Sequence, residues 1–130
     1  IYTIEGCPNL YQFSKQIFKE QPASNIISIN GNFDIEFPKL LTQLDNLDFL
    51  YIDGNHAYEP TINYFNLALA KKNTNSIFVF DDIYWSRGMQ IAWQEICAHK
   101  EVTLSLDLFY FGIVFFRTEN KEKEHFVLKI

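Results

Sequence analysis

Two short apolar runs, each closed by carboxylates, constrain this chain more than any other feature. The first is Leu47-Asp48-Phe49-Leu50-Tyr51-Ile52, ending in Asp53-Gly54-Asn55-His56. The second is Ser76-Ile77-Phe78-Val79-Phe80, ending in Asp81-Asp82-Ile83. Both are short for helices and apolar at consecutive positions, which is the pattern of strands buried on both faces of a parallel sheet. Ligands of such sheets bind outside the carboxyl ends of the strands. Asp53, Asp81 and Asp82 therefore fall where chemistry is expected.

The rest of the chain alternates in the same way. Ile1 to Ile4 reads as a strand running into Glu5-Gly6, and Pro8 suits the first turn of a helix. Leu10, Phe13 and Ile17 recur at helical spacing, and Gln21-Pro22 stops that stripe. Asn25 to Ile29 is the next strand, followed by the turn Asn30-Gly31-Asn32 and a short helix marked by Phe37, Leu40, Leu41 and Leu44. Tyr58, Ile62, Phe65 and Leu69 form a third helical stripe, with Pro60 in its first turn. Met89, Trp93, Ile96 and Cys97 form a fourth, with Ser86 placed as its N-cap.

The last third changes character. Val102 to Leu108 and Tyr110 to Phe116 are two strands with almost nothing between them, and so short a link forces an antiparallel hairpin. His125 to Ile130 reads as a further strand after a charged turn. The expected class is α/β: a mostly parallel sheet with helical crossovers, closed at one edge by a C-terminal antiparallel hairpin.

Composition narrows the function. A chain of 130 residues suits a single domain, and 48% hydrophobic content argues against disorder. Net charge −5 argues against a nucleic-acid partner, which would favour a basic face. The apolar runs are too short to span a bilayer, so no membrane partner is expected. Cys7 and Cys97 form no CxxC pair, which fits reduced thiols and a cytoplasmic location. The only methionine is Met89, and Ile1 is too large to follow a removed initiator. The chain is therefore expected to be the C-terminal portion of a longer protein.

The ordered set of motifs resembles the class I S-adenosylmethionine-dependent methyltransferases, of the Methyltransferase-24 or O-methyltransferase kind. Thr3-Ile4-Glu5-Gly6-Cys7-Pro8 is similar to that family's second strand, and Gly31-Asn32 to the turn after its third. Ile52-Asp53-Gly54-Asn55-His56-Ala57-Tyr58-Glu59 is similar to the fourth-strand motif, and Phe80-Asp81-Asp82-Ile83 to the fifth. Gly88, Trp93 and Phe111-Gly112-Ile113-Val114-Phe115 fit the later elements. The resemblance implies a Rossmann-like methyltransferase fold whose first strand and Gly-rich loop are absent from these residues. It also implies S-adenosylmethionine as cofactor. Glu5 and Gly6 would meet the ribose, Asn32 and Phe33 the adenine, and Asp53 would lie near the reacting centre. An acid is the commoner residue at the Asn32 position.

Two hydroxyls offered by a ribose suit one carboxylate, which is the chemical reason for an acid at Glu5. A solvated strand-end acid is the plain alternative. Three neighbouring carboxylates repel one another unless a cation or a proton intervenes. Asp53, Asp81 and Asp82 are therefore a candidate Mg²⁺ site, as in the metal-dependent O-methyltransferases of this fold. Against that, Asp82 can cap the following loop and Asp53 can orient the turn through Gly54. His56, three residues after Asp53, is a candidate general base, because a histidine takes up a proton near neutral pH. It can equally be a plain helix-start residue. Tyr84-Trp85 can wall an acceptor pocket or simply pack, and Phe109 reads as core.

The leading reading is methyl transfer to an acceptor oxygen of a small molecule or sugar, with Asp53 and His56 carrying the chemistry. Rival readings are a non-catalytic binding module on the same scaffold and a metal-dependent hydrolase. An unpaired strand edge would favour homo-oligomers.

Overall fold

A computed structural model describes residues 1–21 and 24–128. Pro22 and the end of the last expected strand, at Lys129 and Ile130, lie outside the described residues. The chain divides into two compact units, Ile1–Gln43 and Leu44–Ile130.

The first unit holds β1 (Tyr2–Glu5), α1 (Pro8–Glu20), β2 (Ile27–Asn30) and α2 (Phe33–Gln43). β1 and β2 pair in parallel, with Glu5 opposite Asn30 at their carboxyl ends. α1 begins where Pro8 sets the helical φ and has no N–H to waste. Its expected stripe is present but uncovered: Leu10, Phe13 and Ile17 are 54%, 63% and 39% exposed. α2 starts four residues before its apolar stripe, because the Asn32 side chain accepts the Asp34 N–H at 2.7 Å and caps it. Phe37, Leu40 and Leu41 are this unit's buried residues.

The second unit is a five-stranded sheet with two helices. In chain order it runs β3 (Phe49–Ile52), α3 (Tyr58–Leu69), β4 (Ile77–Asp81), α4 (Arg87–Ala98), β5 (Leu104–Asp107), β6 (Phe111–Phe115) and β7 (Glu124–Val127). The spatial order is β3-β4-β6-β5-β7. β3 and β4 are parallel, β6 inserts antiparallel between β4 and β5, and β7 joins β5 in parallel. The expected hairpin is present, inserted within the sheet rather than appended at its rim.

Burial on both faces holds for β4, where Phe78, Val79 and Phe80 are all buried. It does not hold for β3. Only Leu50 is buried there, whereas Phe49 and Tyr51 are 60% and 50% exposed. β3 is the edge strand of its sheet, and positions two apart share a face, so Phe49 and Tyr51 are uncovered together.

The core of this unit is aromatic. Phe65 meets Phe80 edge-on at 6.0 Å, and Phe78 meets Phe116 at 4.8 Å. α4 contributes Met89, Ala92, Trp93 and Ile96, spaced three and four apart, as one buried face. Its start is fixed by Ser86, whose hydroxyl accepts the Met89 N–H at 3.1 Å. The six-membered ring of Trp93 packs against Gly112 of β6; a Cβ there would sit 2.5 Å from the ring. Only glycine lets that indole reach the sheet.

Candidate functional site

The carboxyl edge of the second unit's sheet gathers most of the residues singled out by the sequence. β3 and β4 are parallel with Ile52 opposite Phe80, so Asp53 and Asp81 leave the sheet side by side. β6 begins opposite Asp81, which brings the turn at residues 108–110 to the same edge. The described non-glycine residues with positive φ are Asn55 (57°), Asp82 (52°) and Phe109 (69°), and all three lie in loops on this edge. Such backbone costs on the order of 1 kcal/mol or more at each position, and it persists where the surroundings impose it.

Asp82 is the residue whose position follows from that strain. With φ of 52° it breaks from the line of β4, and its Oδ2 lies 3.7 Å from Nε2 of His56. Asp53 Oδ1 lies 3.6 Å from the same nitrogen. One histidine nitrogen thus faces two carboxylates. The His56 ring also sits 6.1 Å from the Trp85 ring. Asn55, between Asp53 and His56, donates from its side-chain amide to the Tyr64 hydroxyl at 3.2 Å, which ties the loop to α3.

Asp81 turns elsewhere. It hydrogen-bonds Tyr51, whose hydroxyl is pushed up to about 12, first by partial burial and then by the Asp81 charge. Asp53 is also raised above the ordinary carboxylate range, first by desolvation and next by Asp81, with His56 acting in the opposite direction. Among the described residues, no three His, Cys, Asp or Glu side chains converge as metal ligands. Asp81 faces Tyr51 and Asp53 while Asp82 faces His56, so the arrangement gives no support to a three-carboxylate Mg²⁺ site.

A second cluster on this edge was not legible as a site in the sequence. Asp107, the last residue of β5, is 2% exposed. Its Oδ2 accepts from the Tyr84 hydroxyl at 2.5 Å and from Trp93 Nε1 at 3.3 Å, and its Oδ1 accepts the Phe109 N–H at 2.9 Å. Tyr84 is pushed up to about 12 by this bond to Asp107 first, and then by burial. Phe109, expected in the core, is 61% exposed and stacks on Tyr84 at 5.5 Å and 24°. Its φ of 69° turns the side chain out of the hairpin. The available signal was an acid closing an alternating strand at the same sheet end as Asp81-Asp82.

In the first unit, Glu5 ends β1. Its Oε1 accepts the Cys7 N–H at 2.7 Å, and its main-chain oxygen accepts from Gly31 N and Asn30 Nδ2. Gly6 is open: a Cβ there would meet only the Gly31 oxygen, at 3.7 Å. Glu5, Gly6, Gly31 and Asn32 therefore share the carboxyl edge of this small sheet. Asn32 spends its side-chain oxygen on capping α2, so only its amide nitrogen is left to offer a base edge. Phe33 opens the helix beside it.

Two other features carry less. Ser105 lies 2.8 Å from Nδ1 of His125, but Ser105 is 1% exposed and no substrate can reach it. Cys7 and Cys97 are both unpaired thiols, and burial pushes Cys97 up to about 11. No helix of the described residues is long and apolar enough to cross a membrane.

Comparison with known proteins agrees with this layout. Residues 1–83 match the model of a family described as a methyltransferase domain. An uncharacterized protein of Acanthamoeba polyphaga mimivirus is 42% identical over 65 residues, which cover 48% of this chain and 29% of that protein. The O-methyltransferase of Bacillus cereus, solved in complex with SAH, superposes with a TM-score of 0.69 at 14% identity, over 88% of this chain and 61% of that one. A TDP-rhamnose 3'-O-methyltransferase of calicheamicin biosynthesis superposes with a TM-score of 0.66 at 16% identity, over 88% and 57%. The chain thus spans under a third of the mimivirus protein and about three fifths of the first solved structure. The fold is that of the Rossmann-like methyltransferases, and the chain belongs to the methyltransferase-domain family.

Proposed function

We propose that this protein is an S-adenosylmethionine-dependent methyltransferase acting on a hydroxyl oxygen of a small molecule or sugar. The observation that carries the reading is His56, set between Asp53 and Asp82 on the carboxyl edge of the sheet. When bound, S-adenosylmethionine supplies an electrophilic methyl group on a sulfonium. The residues at hand suit it in kind. In the first unit, Glu5 beside the open Gly6 suits ribose hydroxyls, and the Asn32 amide and Phe33 suit an adenine; in the second unit, taken by itself, Asp53 suits the reacting end.

The chain's own part is proton handling and positioning. Asp53 and Asp82 lie 3.6 and 3.7 Å from Nε2 of His56, at ion-pair rather than hydrogen-bond distance. His56 would be the base that takes the acceptor's hydroxyl proton, and the methyl group that the cofactor supplies would leave its sulfur as a neutral thioether. The two carboxylates then steady the imidazolium. SAH-bound and sugar-methylating structures of the same fold support the cofactor and the acceptor class.

Calorimetric titration with S-adenosylhomocysteine, with Mg²⁺ and again with EDTA, tests the reading. Saturable binding that is lost in Glu5→Ala and unchanged by EDTA is expected. A folded chain that binds none leaves two readings, a truncated enzyme and a scaffold module, and the same titration of the full-length gene product separates them.

A further inference from the structure

We propose that Tyr84, Trp85, Phe109 and Tyr110 form a docking ledge for the acceptor, and that the acceptor is a polyhydroxylated ring, a sugar. This rests on reading the edge as a methyl-transfer site. The ledge would take the C–H face of the ring, and its hydroxyls would reach Asp53 and Asp82.

The ledge is exposed and yet built. Tyr84, Trp85, Phe109 and Tyr110 are 41%, 71%, 61% and 69% exposed, and they come from just two loops. Exposed aromatics usually hang on mobile chain. Here the buried Asp107 holds the Tyr84 hydroxyl and the Phe109 N–H at once. Phe109 keeps a φ of 69° in doing so, stacks on Tyr84, and meets Tyr110 edge-on at 5.2 Å. A buried carboxylate and a strained backbone are spent on presenting aromatic faces to water. At the other end of the ledge, Trp85 reaches the His56 ring.

Chemistry selects the occupant. Aromatic faces ask for a flat apolar surface, and two carboxylates ask for donors along its rim. A phenol supplies the face but few donors. A cationic amine supplies donors, but its charge would oppose protonation of the neighbouring His56. A sugar supplies an apolar C–H face and several hydroxyls without charge.

The test is ligand-observed NMR of the chain with methyl α-D-glucopyranoside, catechol or tetramethylammonium, alongside S-adenosylhomocysteine titration of the same samples. Saturation is expected on the sugar's C–H protons, with affinity about tenfold weaker in Trp85→Ala and Tyr110→Ala. Ile91→Ala, an exposed position on α4, should leave it unchanged, and cofactor-product affinity should hold in all three variants. Preferred binding of catechol or of the cation overturns the sugar, as does no sugar signal from a chain that binds S-adenosylhomocysteine. Self-association that Trp85→Ala abolishes would make the ledge a protein interface and also overturn it. Failure of S-adenosylhomocysteine to bind counts instead against the underlying methyltransferase reading.

Discussion

At Asp53 the chain places a carboxylate where folding disfavours its charge. Desolvation and Asp81 raise its folded pKa above the free value of 3.8. A raised carboxyl stabilises the fold only below its free pKa, and that stability is lost as pH rises through the folded value. Near neutral pH Asp53 is therefore a cost. Asp53→Asn should stabilise the second unit slightly, by a few tenths of a kcal/mol, because more than half the side chain is in water. On the proposed function, the same change should abolish most of the methyl transfer, so thermal melting and a turnover assay should move in opposite directions. His56→Ala should cost roughly 10²- to 10⁴-fold in kcat, the range for a lost general base, with little change in melting. Asp53 stood out in the sequence as an acid closing an apolar run, and His56 only by following it three residues on. Asp107 was not, since its meaning depends on Tyr84 and Trp93, which are distant in the chain and reach it only through sheet register.

At the scale of elements, two contacts fix how α4 lies on the sheet. Gly112→Ala would drive a methyl into the Trp93 ring, and the core has no slack to absorb it. A loss on the order of 2 kcal/mol in chemical denaturation is expected. Ser86→Ala removes the cap and should cost about 1 kcal/mol. The elements themselves were well marked in the sequence. Pro8, Ser86 and the helical stripes placed all four helices, α2 starting four residues before its stripe, and the short link at Phe109 placed the hairpin. What failed was the environment of single elements. β3 reads like β4 in composition, but the face that carries Phe49 and Tyr51 is uncovered, and hydrophobicity alone does not say which face of a strand is covered. Phe109 read as core because an aromatic between two strands usually is. Its positive φ occurs together with the N–H bond to Asp107, and no local pattern announces either.

For the second unit as a whole, alkaline pH is the informative axis. Tyr51 and Tyr84 are raised from 10.0 to about 12, and Cys97 from 9.0 to about 11. Folding favours their neutral forms, so their contribution is complete below pH 9 and is lost as pH rises towards 12. Denaturation midpoints should be level between pH 7 and 9 and fall above that, with a smaller fall in Tyr84→Phe. A midpoint that rises through this window would contradict the hydrogen bonds assigned to Asp107 and Asp81. The central proposal is that this chain binds a methyl donor. The measurement that addresses it most directly is ¹H–¹⁵N correlation NMR of the labelled chain titrated with S-adenosylhomocysteine. Shifts concentrated at Glu5–Cys7, Gly31–Phe33 and Asp53–His56 are expected. Shifts confined to other parts of the chain, or none at saturating ligand, would contradict it.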